Sequence, residues 1–152
     1  LALKNLSHGL VNNVQRSHSS ASTNACDTFV SSIVSMPEIR SKVVLHILDA
    51  TNAVYQGGPS APVESTWSHR TLYFATDPVA MDQIGWEVID AKRHSVGLPV
   101  VAETRMGQPL DEQGRRINSF RQPQHIRFAS ALGLGVYKKD LLDHRRLVVS
   151  DA

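Results

Sequence analysis

Cysteine is almost absent from this sequence, which has one, Cys26, among its 152 residues. A single cysteine excludes an internal disulfide, and it also excludes an iron–sulfur cluster or a thiolate zinc site built from this segment alone. Phe29, Val30 and Ile33 follow Cys26 at helical spacing. We therefore expect Cys26 to be a small buried hydrophobic residue of a helix.

Long apolar runs and dense clusters of charge are also missing. No stretch approaches the roughly 20 apolar residues that cross a bilayer, so we predict a soluble protein, either cytoplasmic or exported. The formal net charge is only +2, and aromatic residues make up 6% of the chain. A nucleic-acid surface needs more clustered basic charge with aromatic side chains beside it, so nucleic acid is not an expected partner.

The residues that are present are those of an ordinary globular domain, with 41% hydrophobic and 20% charged residues. The length allows one core and is short for two, so we predict a single α/β domain over residues 1–152. Residues 1–5 have the composition of a strand end and carry no initiator methionine. We expect the chain to be a fragment of a larger α/β domain, with a missing amino-terminal segment or a partner chain completing its sheet.

Apolar periodicity predicts alternating strands and helices. The nearly continuous apolar run at 42–49 is typical of a strand buried on both faces of a parallel sheet. The fold class we predict is therefore α/β, with a mostly parallel sheet flanked by helices. The predicted strands are 1–5, 42–49, 71–76 and 146–150, and the predicted helices are 25–36, 77–95 and one that opens at Pro123.

The segment 71–82 is the most informative part of the chain. An apolar run ends at Thr76 and is followed by Asp77-Pro78, in which the aspartate is a good N-cap and the proline a good first helical residue. This pattern predicts a corner between a strand and a helix. In open α/β sheets such corners, at the carboxyl ends of strands, are where ligands bind.

Three aspartates are candidate ligands at this edge of the sheet. Asp49 ends a predicted strand, Asp77 opens the helix, and Asp82 lies one turn further on without an obvious sequence partner. If the strands ending at Asp49 and Thr76 are neighbours, the three carboxylates converge and favour a divalent cation or acid–base chemistry. The alternatives are that Asp49 caps a turn, Asp77 only caps its helix and Asp82 is a solvated helix residue.

Glycines and basic residues supply the remaining candidates. Gly57 and Gly58 follow Asp49 in a loop where backbone amides can approach a ligand, although they also suit a turn that needs positive φ angles. Lys4 and Asn5 close the first predicted strand and His8 lies in the turn that follows, so we expect all three to emerge at the same edge and to bind an anion.

Four pieces of the sequence occur together in a known family. They are Leu3-Lys-Asn5 with Gly9, Ile47-Leu-Asp49 with Gly57-Gly-Pro59, Ala75-Thr-Asp-Pro-Val-Ala-Met-Asp82, and residues 129–135 ending in Gly-Leu-Gly. In their order and spacing, from Leu3 to about Val136, the chain resembles the bacterial and archaeal family called domain of unknown function 362. The resemblance implies the carboxyl-terminal part of a longer α/β protein and a frequent association with ferredoxin-like modules. This sequence departs from cluster-bearing members because it has no Cys-x-x-Cys run.

The leading hypothesis is a site for a small anionic ligand or a metal at the carboxyl edge of the sheet, with an enzyme slightly favoured over a binder. The alternatives are a non-catalytic interaction or scaffold domain and a redox partner of an iron–sulfur protein. The first hypothesis requires the candidate side chains to surround one pocket of roughly 300 Å3 or more. Those residues are Lys4, Asn5, His8, Asp49, Gly57, Gly58, Asp77 and Asp82.

Overall fold

A computed structural model of the chain describes residues 1–14, 17, 26–58, 61–103 and 123–149. Within these ranges the chain forms five α-helices and two β-strands. No helix of the described residues is long and apolar enough to cross a membrane. The elements are α1 (Ala2–Gly9), α2 (Cys26–Ser35), α3 (Pro37–Arg40), β1 (His46–Val54), β2 (Thr66–Ala75), α4 (Pro78–Ser95) and α5 (Gln124–Ala131).

The two strands pair antiparallel, with Ile47 opposite Phe74 and Asn52 opposite Ser68. The prediction of a mostly parallel sheet is therefore wrong, and the fold is mixed α/β with a two-stranded antiparallel sheet. A parallel pair needs a crossover of a dozen or more residues, usually through a helix. Over its described residues the connection from Val54 to Thr66 holds a 3-10 turn at Val63–Ser65 and no α-helix, and the chain reverses direction there.

One face of the sheet is covered and the other is open. On β2, Trp67, His69, Thr71, Tyr73 and Ala75 are half-buried, whereas the residues between them are exposed. Helix α4 packs against both strands. This alternation is typical of an antiparallel sheet with one covered face, and it replaces the predicted strand buried on both faces. The apolar run at 42–49 was misleading because its composition does not state which faces are covered.

The predicted opening strand is helix α1 in the structure. Leu3 is fully buried, Leu6 packs against the core, and Ser7 is buried one turn after Leu3. This spacing puts the inward residues on one face of a helix. The predicted closing strand at 146–150 is also wrong over its described part, because residues 146–149 have no strand structure. Residue 150 lies outside the described residues.

The helix predictions are confirmed where the chain carries local end signals. Asp77 caps α4 with its Oδ1 atom, which accepts hydrogen bonds from the backbone N–H groups of Val79 (2.8 Å) and Ala80 (2.9 Å). Gly97, with φ at +76°, follows the end of the same helix. A residue in this left-handed conformation lets the chain turn away after the last helical carbonyls.

The core lies among the helices. It consists of buried residues from α1, α2, α4 and α5: Leu3, Val30, Val34, Val79, Ile126 and Ala129. The sequence at 98–120 has no apolar periodicity and predicts a long loop, and most of that prediction lies outside the described residues, because the structure describes this stretch only as far as Glu103.

Candidate functional site

A pocket of about 360 Å3 opens where β2 ends and α4 begins. Residues 73–77 form one side, and Ala80, Met81 and Ile84 of α4 form a second. Val136 and residues 141–144 form the third side. The lining is mostly apolar, and its polar side chains are those of Tyr73, Thr76, Asp77, Asp143 and His144.

Asp77 holds the third side of the pocket against the start of α4. Its Oδ1 atom caps the helix, and its Oδ2 atom accepts a hydrogen bond from the backbone N–H of Val136 at 2.8 Å. Gly135 passes so close to this carboxylate that a Cβ atom there would overlap it. Both carboxylate oxygens of Asp77 therefore have backbone partners, and glycine is required where the chain passes them.

The other polar groups differ in whether they already have partners. Asp143 pairs with the Arg145 guanidinium, with its Oδ2 atom 2.9 Å from Nη2. Thr76 and His144 make no side-chain hydrogen bond with the described residues.

The Tyr73 hydroxyl lies 2.7 Å from Nε2 of His69. Burial raises the pKa of Tyr73, and the Arg146 guanidinium opposes that shift. Tyr73 is therefore an uncharged phenol at neutral pH.

Asp82 lies on the next turn of α4 but does not line the pocket, and it is fully buried. Its Oδ1 atom accepts a hydrogen bond from the backbone N–H of Leu3 at 3.3 Å. Its Oδ2 atom lies 3.2 Å from Nε2 of His125. The Leu3 amide belongs to the first turn of α1, so the carboxylate also interacts favourably with the positive end of that helix.

His125 links Asp82 to a second carboxylate. Its backbone N–H donates to Oδ1 of Asp27 at 3.2 Å, and its Nδ1 atom lies 3.7 Å from the same oxygen. Burial disfavours the charged imidazole, but the interactions of the ring with the Asp27 and Asp82 carboxylates outweigh burial and raise the pKa of His125. We call Asp27, Asp82 and His125 the Asp–His–Asp triad, in which Asp82 is buried and the side chains of His125 and Asp27 are 21% and 31% exposed.

Sequence reasoning did not single out the Asp–His–Asp triad as a unit. His125 is 98 residues from Asp27 and 43 from Asp82 in the chain, so no local spacing could connect them. The one local signal was that Asp82 lacked a partner on its own helix. That observation fits a carboxylate whose partners come from other elements.

Asp49 lies on the open face of the sheet and is exposed. Its Oδ1 atom accepts hydrogen bonds from Oγ1 of Thr51 (2.7 Å) and from the backbone N–H of Thr51 (2.8 Å). The Thr51 hydroxyl and then its N–H hold the pKa of Asp49 below its usual value. Asp49 therefore lies inside β1 and not at the end of a strand as predicted, its partner is a residue of the same strand, and it does not line the pocket.

The glycine loop lies at the opposite end of α4 from Asp77. Nη1 of Arg93, in the last turn of α4, donates to the carbonyl of Tyr55, which leads into Gly57 and Gly58. A helix rises about 1.5 Å per residue, so the 18 residues of α4 span roughly 27 Å. Gly57 and Gly58 therefore lie near the far end of α4 from Asp77, and neither lines the pocket.

The basic candidates stand on α1. Asn5 is exposed, and Lys4 follows Leu3, whose amide binds Asp82. The ring of His8 hydrogen bonds through Nδ1 to Ser7 Oγ and through Nε2 to Ser17 Oγ, both at 3.0 Å. None of these three residues lines the pocket, so Asp77 is the one member of the predicted set that does.

Part of this chain matches a known protein family. Residues 1–87 match the family model described as Domain of unknown function (DUF362), which is more than half of the 152-residue chain. The chain belongs to this family. No curated protein and no solved structure matches it. The DUF362 match includes β2, Asp77 and Asp82 but ends within α4, so it excludes His125 and the third side of the pocket.

The possible metal ligands of this DUF362 chain do not form one cluster. Asp77 is held by backbone amides, Asp82 is enclosed with His125, and Asp49 is bonded to Thr51 on the open face. Among the residues that the structure describes, no three His, Cys, Asp or Glu side chains are grouped so that they could hold a metal ion. The pocket instead offers apolar surface with hydroxyl and imidazole groups at its border.

Proposed function

We propose that this DUF362 protein binds a small, largely apolar molecule in the pocket beside Asp77. The observation that carries the proposal is the pocket itself, about 360 Å3 in volume with a mainly apolar lining and few polar groups. Ligand sites in proteins are typically hydrophobic clefts of about 300–1,000 Å3 with a small number of placed polar groups.

The construction of the pocket supports a ligand site with a defined shape. Asp77 connects the start of α4 to Val136 through three hydrogen bonds from backbone amides, so two sides of the pocket are joined at one residue. Met81 is almost fully buried beneath the pocket. A ligand that covers such apolar surface gains about 25 cal/mol per Å2 removed from water.

The competing hypothesis is that the chain is an interaction or scaffold domain without a ligand. The test is to fill the pocket by Ala80→Leu, because Ala80 lines it and leucine is a good helix former. Ala91→Leu is the matched control, since Ala91 is exposed on the same helix and outside the pocket lining. The probes are 2-naphthoate and 2-naphthylmethanol, with binding followed by ligand-observed NMR and calorimetry.

We expect the wild-type chain and Ala91→Leu to bind at least one probe with equal affinity, and Ala80→Leu to bind it at least tenfold more weakly. Melting temperatures of the three proteins show whether each is folded. Equal affinity of Ala80→Leu and wild type would place the probe elsewhere and overturn the proposal. Failure of both probes to bind the wild-type chain would favour the scaffold hypothesis.

A further inference from the structure

The open face of the sheet carries three large apolar side chains that lie side by side. Ile47 of β1 is paired with Phe74 of β2, and Leu72 lies two residues before Phe74 on the same face. Their exposed fractions are 61% for Ile47, 62% for Phe74 and 52% for Leu72. We call these residues the apolar patch. It exposes roughly 370 Å2, and contiguous patches of about 300–600 Å2 on a monomer are often interaction sites.

One charge of each sign lies beside the apolar patch. Asp49 is paired with Leu72 in the sheet, and Arg70 is exposed two residues before Leu72 on β2. Asp49 accepts its hydrogen bonds from Thr51. Neither Asp49 nor Arg70 forms an ion pair with a residue that the structure describes. The open face therefore offers an unmatched carboxylate and an unmatched guanidinium next to an apolar centre.

A β-bulge holds Arg70 on this face. Between two neighbouring pairs of the strand ladder, β1 has one residue, Thr51, whereas β2 has two, His69 and Arg70. Arg70 has φ at +52°, a left-handed conformation that costs a residue with a Cβ atom roughly 1–2 kcal/mol. Bulges of this kind often redirect a side chain. A carboxylate of another molecule is the partner that would offset the cost at Arg70.

A second copy of the chain matches the apolar patch and both charges at once. A two-fold axis that runs along the strands and between them places β1 of one copy over β2 of the other. The pairs of the strand ladder then recur across the interface. Ile47 meets Phe74 of the second copy. Asp49 meets Leu72 of the second copy and lies within reach of the long side chain of its Arg70. In such a symmetric interface every contact occurs twice.

We propose that the open face of the sheet is the interface of a two-fold symmetric dimer of this chain. The apolar patch forms its centre, and Asp49 of each copy pairs with Arg70 of the other. Two such faces bury on the order of 1,200 Å2 in total, which is the lower limit for a stable interface, so the dimer is weak and reversible. The dimer does not depend on the pocket or on its ligand.

Other classes of partner fit the open face less well. A strongly acidic or strongly basic macromolecule matches one of the two charges and repels the other. A lipid surface would cover the apolar patch but would take Asp49 and Arg70 out of water without partners, which is costly for charged groups. A second copy satisfies each charge with the opposite one.

Charge reversal tests the proposed pairing. Asp49→Lys brings two cations together at both ends of the interface, and Arg70→Glu brings two carboxylates together there. We expect the wild-type chain to form a concentration-dependent dimer in sedimentation equilibrium. Each variant alone should dimerise at least tenfold more weakly, because facing like charges cost several kcal/mol. An equimolar mixture of the two variants should restore the dimer to within threefold of wild type, since each mixed dimer again joins opposite charges at both ends.

Matched controls make the same charge changes away from the open face. Glu38→Lys on α3 and Arg127→Glu on α5 alter exposed residues. Neither control, alone or mixed with the other, should change the dimerisation constant by more than threefold. Melting temperatures of the four variants show that each is folded.

Three outcomes would overturn the dimer or its pairing. A wild-type chain that stays monomeric at about 1 mM would assign the open face to a different partner. A dimer that is unaffected by either charge reversal would place its interface elsewhere on the molecule. Weak association of both variants that mixing does not restore would show that Asp49 and Arg70 do not pair between copies.

Discussion

Asp82 is fully buried although its side chain is ionisable. Its two oxygens are shared between the amide of Leu3 and the imidazole of His125. A carboxylate enclosed in this way contributes to stability because its partners would otherwise be buried without hydrogen bonds. At the residue scale, Asp82 therefore connects helices rather than facing solvent or lining the pocket.

We expect Asp82→Asn to reduce the free energy of unfolding by about 1–3 kcal/mol, because the amide NH2 replaces an acceptor that faces Leu3 or His125. Urea denaturation measures the difference. Asp140→Asn is the control, since Asp140 is exposed, and its change should stay within about 0.5 kcal/mol. A loss for Asp82→Asn as small as that of the control would contradict the role assigned to Asp82.

The stability of the chain should depend on pH through His125. Its pKa is raised in the folded chain, so its ion pairs contribute fully below the unfolded value of about 6.5 and are lost as pH rises through the folded value. We expect the free energy of unfolding to fall between these two values. The titration of His46 affects stability at lower pH than this, because burial lowers the pKa of His46 in the folded chain against the opposing charges of Asp82 and Asp77.

Urea denaturation at a series of pH values from about 6.5 upward tests this expectation. The fall in stability should disappear in His125→Gln and persist in His94→Gln, a change at an exposed histidine of α4. An unchanged pH profile in His125→Gln would show that the Asp–His–Asp triad is not the source of the pH dependence.

At the scale of elements, Asp77 joins three segments: β2, which it follows, α4, which it caps, and the chain at Val136. This junction also depends on Gly135, where a Cβ atom would meet the Asp77 carboxylate. We expect Gly135→Ala to cost about 1–3 kcal/mol through the shift that the added carbon forces.

Gly9→Ala is the matched control for Gly135→Ala, because a Cβ atom at Gly9 would meet nothing within 4 Å. Gly9 ends helix α1, and alanine there should be neutral or stabilising by up to about 1 kcal/mol. Thermal and urea denaturation of both variants measure the contrast. Similar effects of the two substitutions would mean that the backbone at residue 135 shifts to accommodate the added Cβ atom without disturbing Asp77.

At the scale of the whole molecule, the open face of the sheet carries large apolar side chains. Ile47 is 61% exposed, Leu72 52% and Phe74 62%. Two strands alone are marginally stable in water, so this sheet depends on α4 packing against its other face. Exposed apolar residues on a sheet with open edges favour association and low solubility.

We expect Ile47→Lys and Leu72→Lys to raise the concentration at which the isolated chain begins to associate, measured by light scattering, with little change in stability. Val63→Lys is the control, because Val63 is 89% exposed but belongs to the connection between the strands. If the control improves solubility as much as the two sheet variants do, general charge rather than this face would be responsible.

The parts of the fold that depend on neighbouring residues could be predicted from the sequence. The end signals Asp77-Pro78 and Gly97 located α4, and the apolar periodicity after Cys26 located α2. The same local reasoning also predicted a ligand site at the end of β2, and this stays a prediction; of the residues that it named, Asp77 is the one that lines the pocket there. It failed for residues 1–5, since so short an apolar run is compatible with either a strand or a helix.

The sequence by itself determined the family, the helices α2, α4 and α5, and the corner between β2 and α4 at Asp77. Each of these depends on residues that are close together in the chain. Only the tertiary structure decided the antiparallel pairing, the separation of Gly57 and Gly58 from Asp77, and the Asp–His–Asp triad. Strand direction depends on how the connection folds, and the partners of Asp82 lie on α1 and α5. Such contacts arise from packing the helices around a shared core, and sequence spacing alone does not encode them.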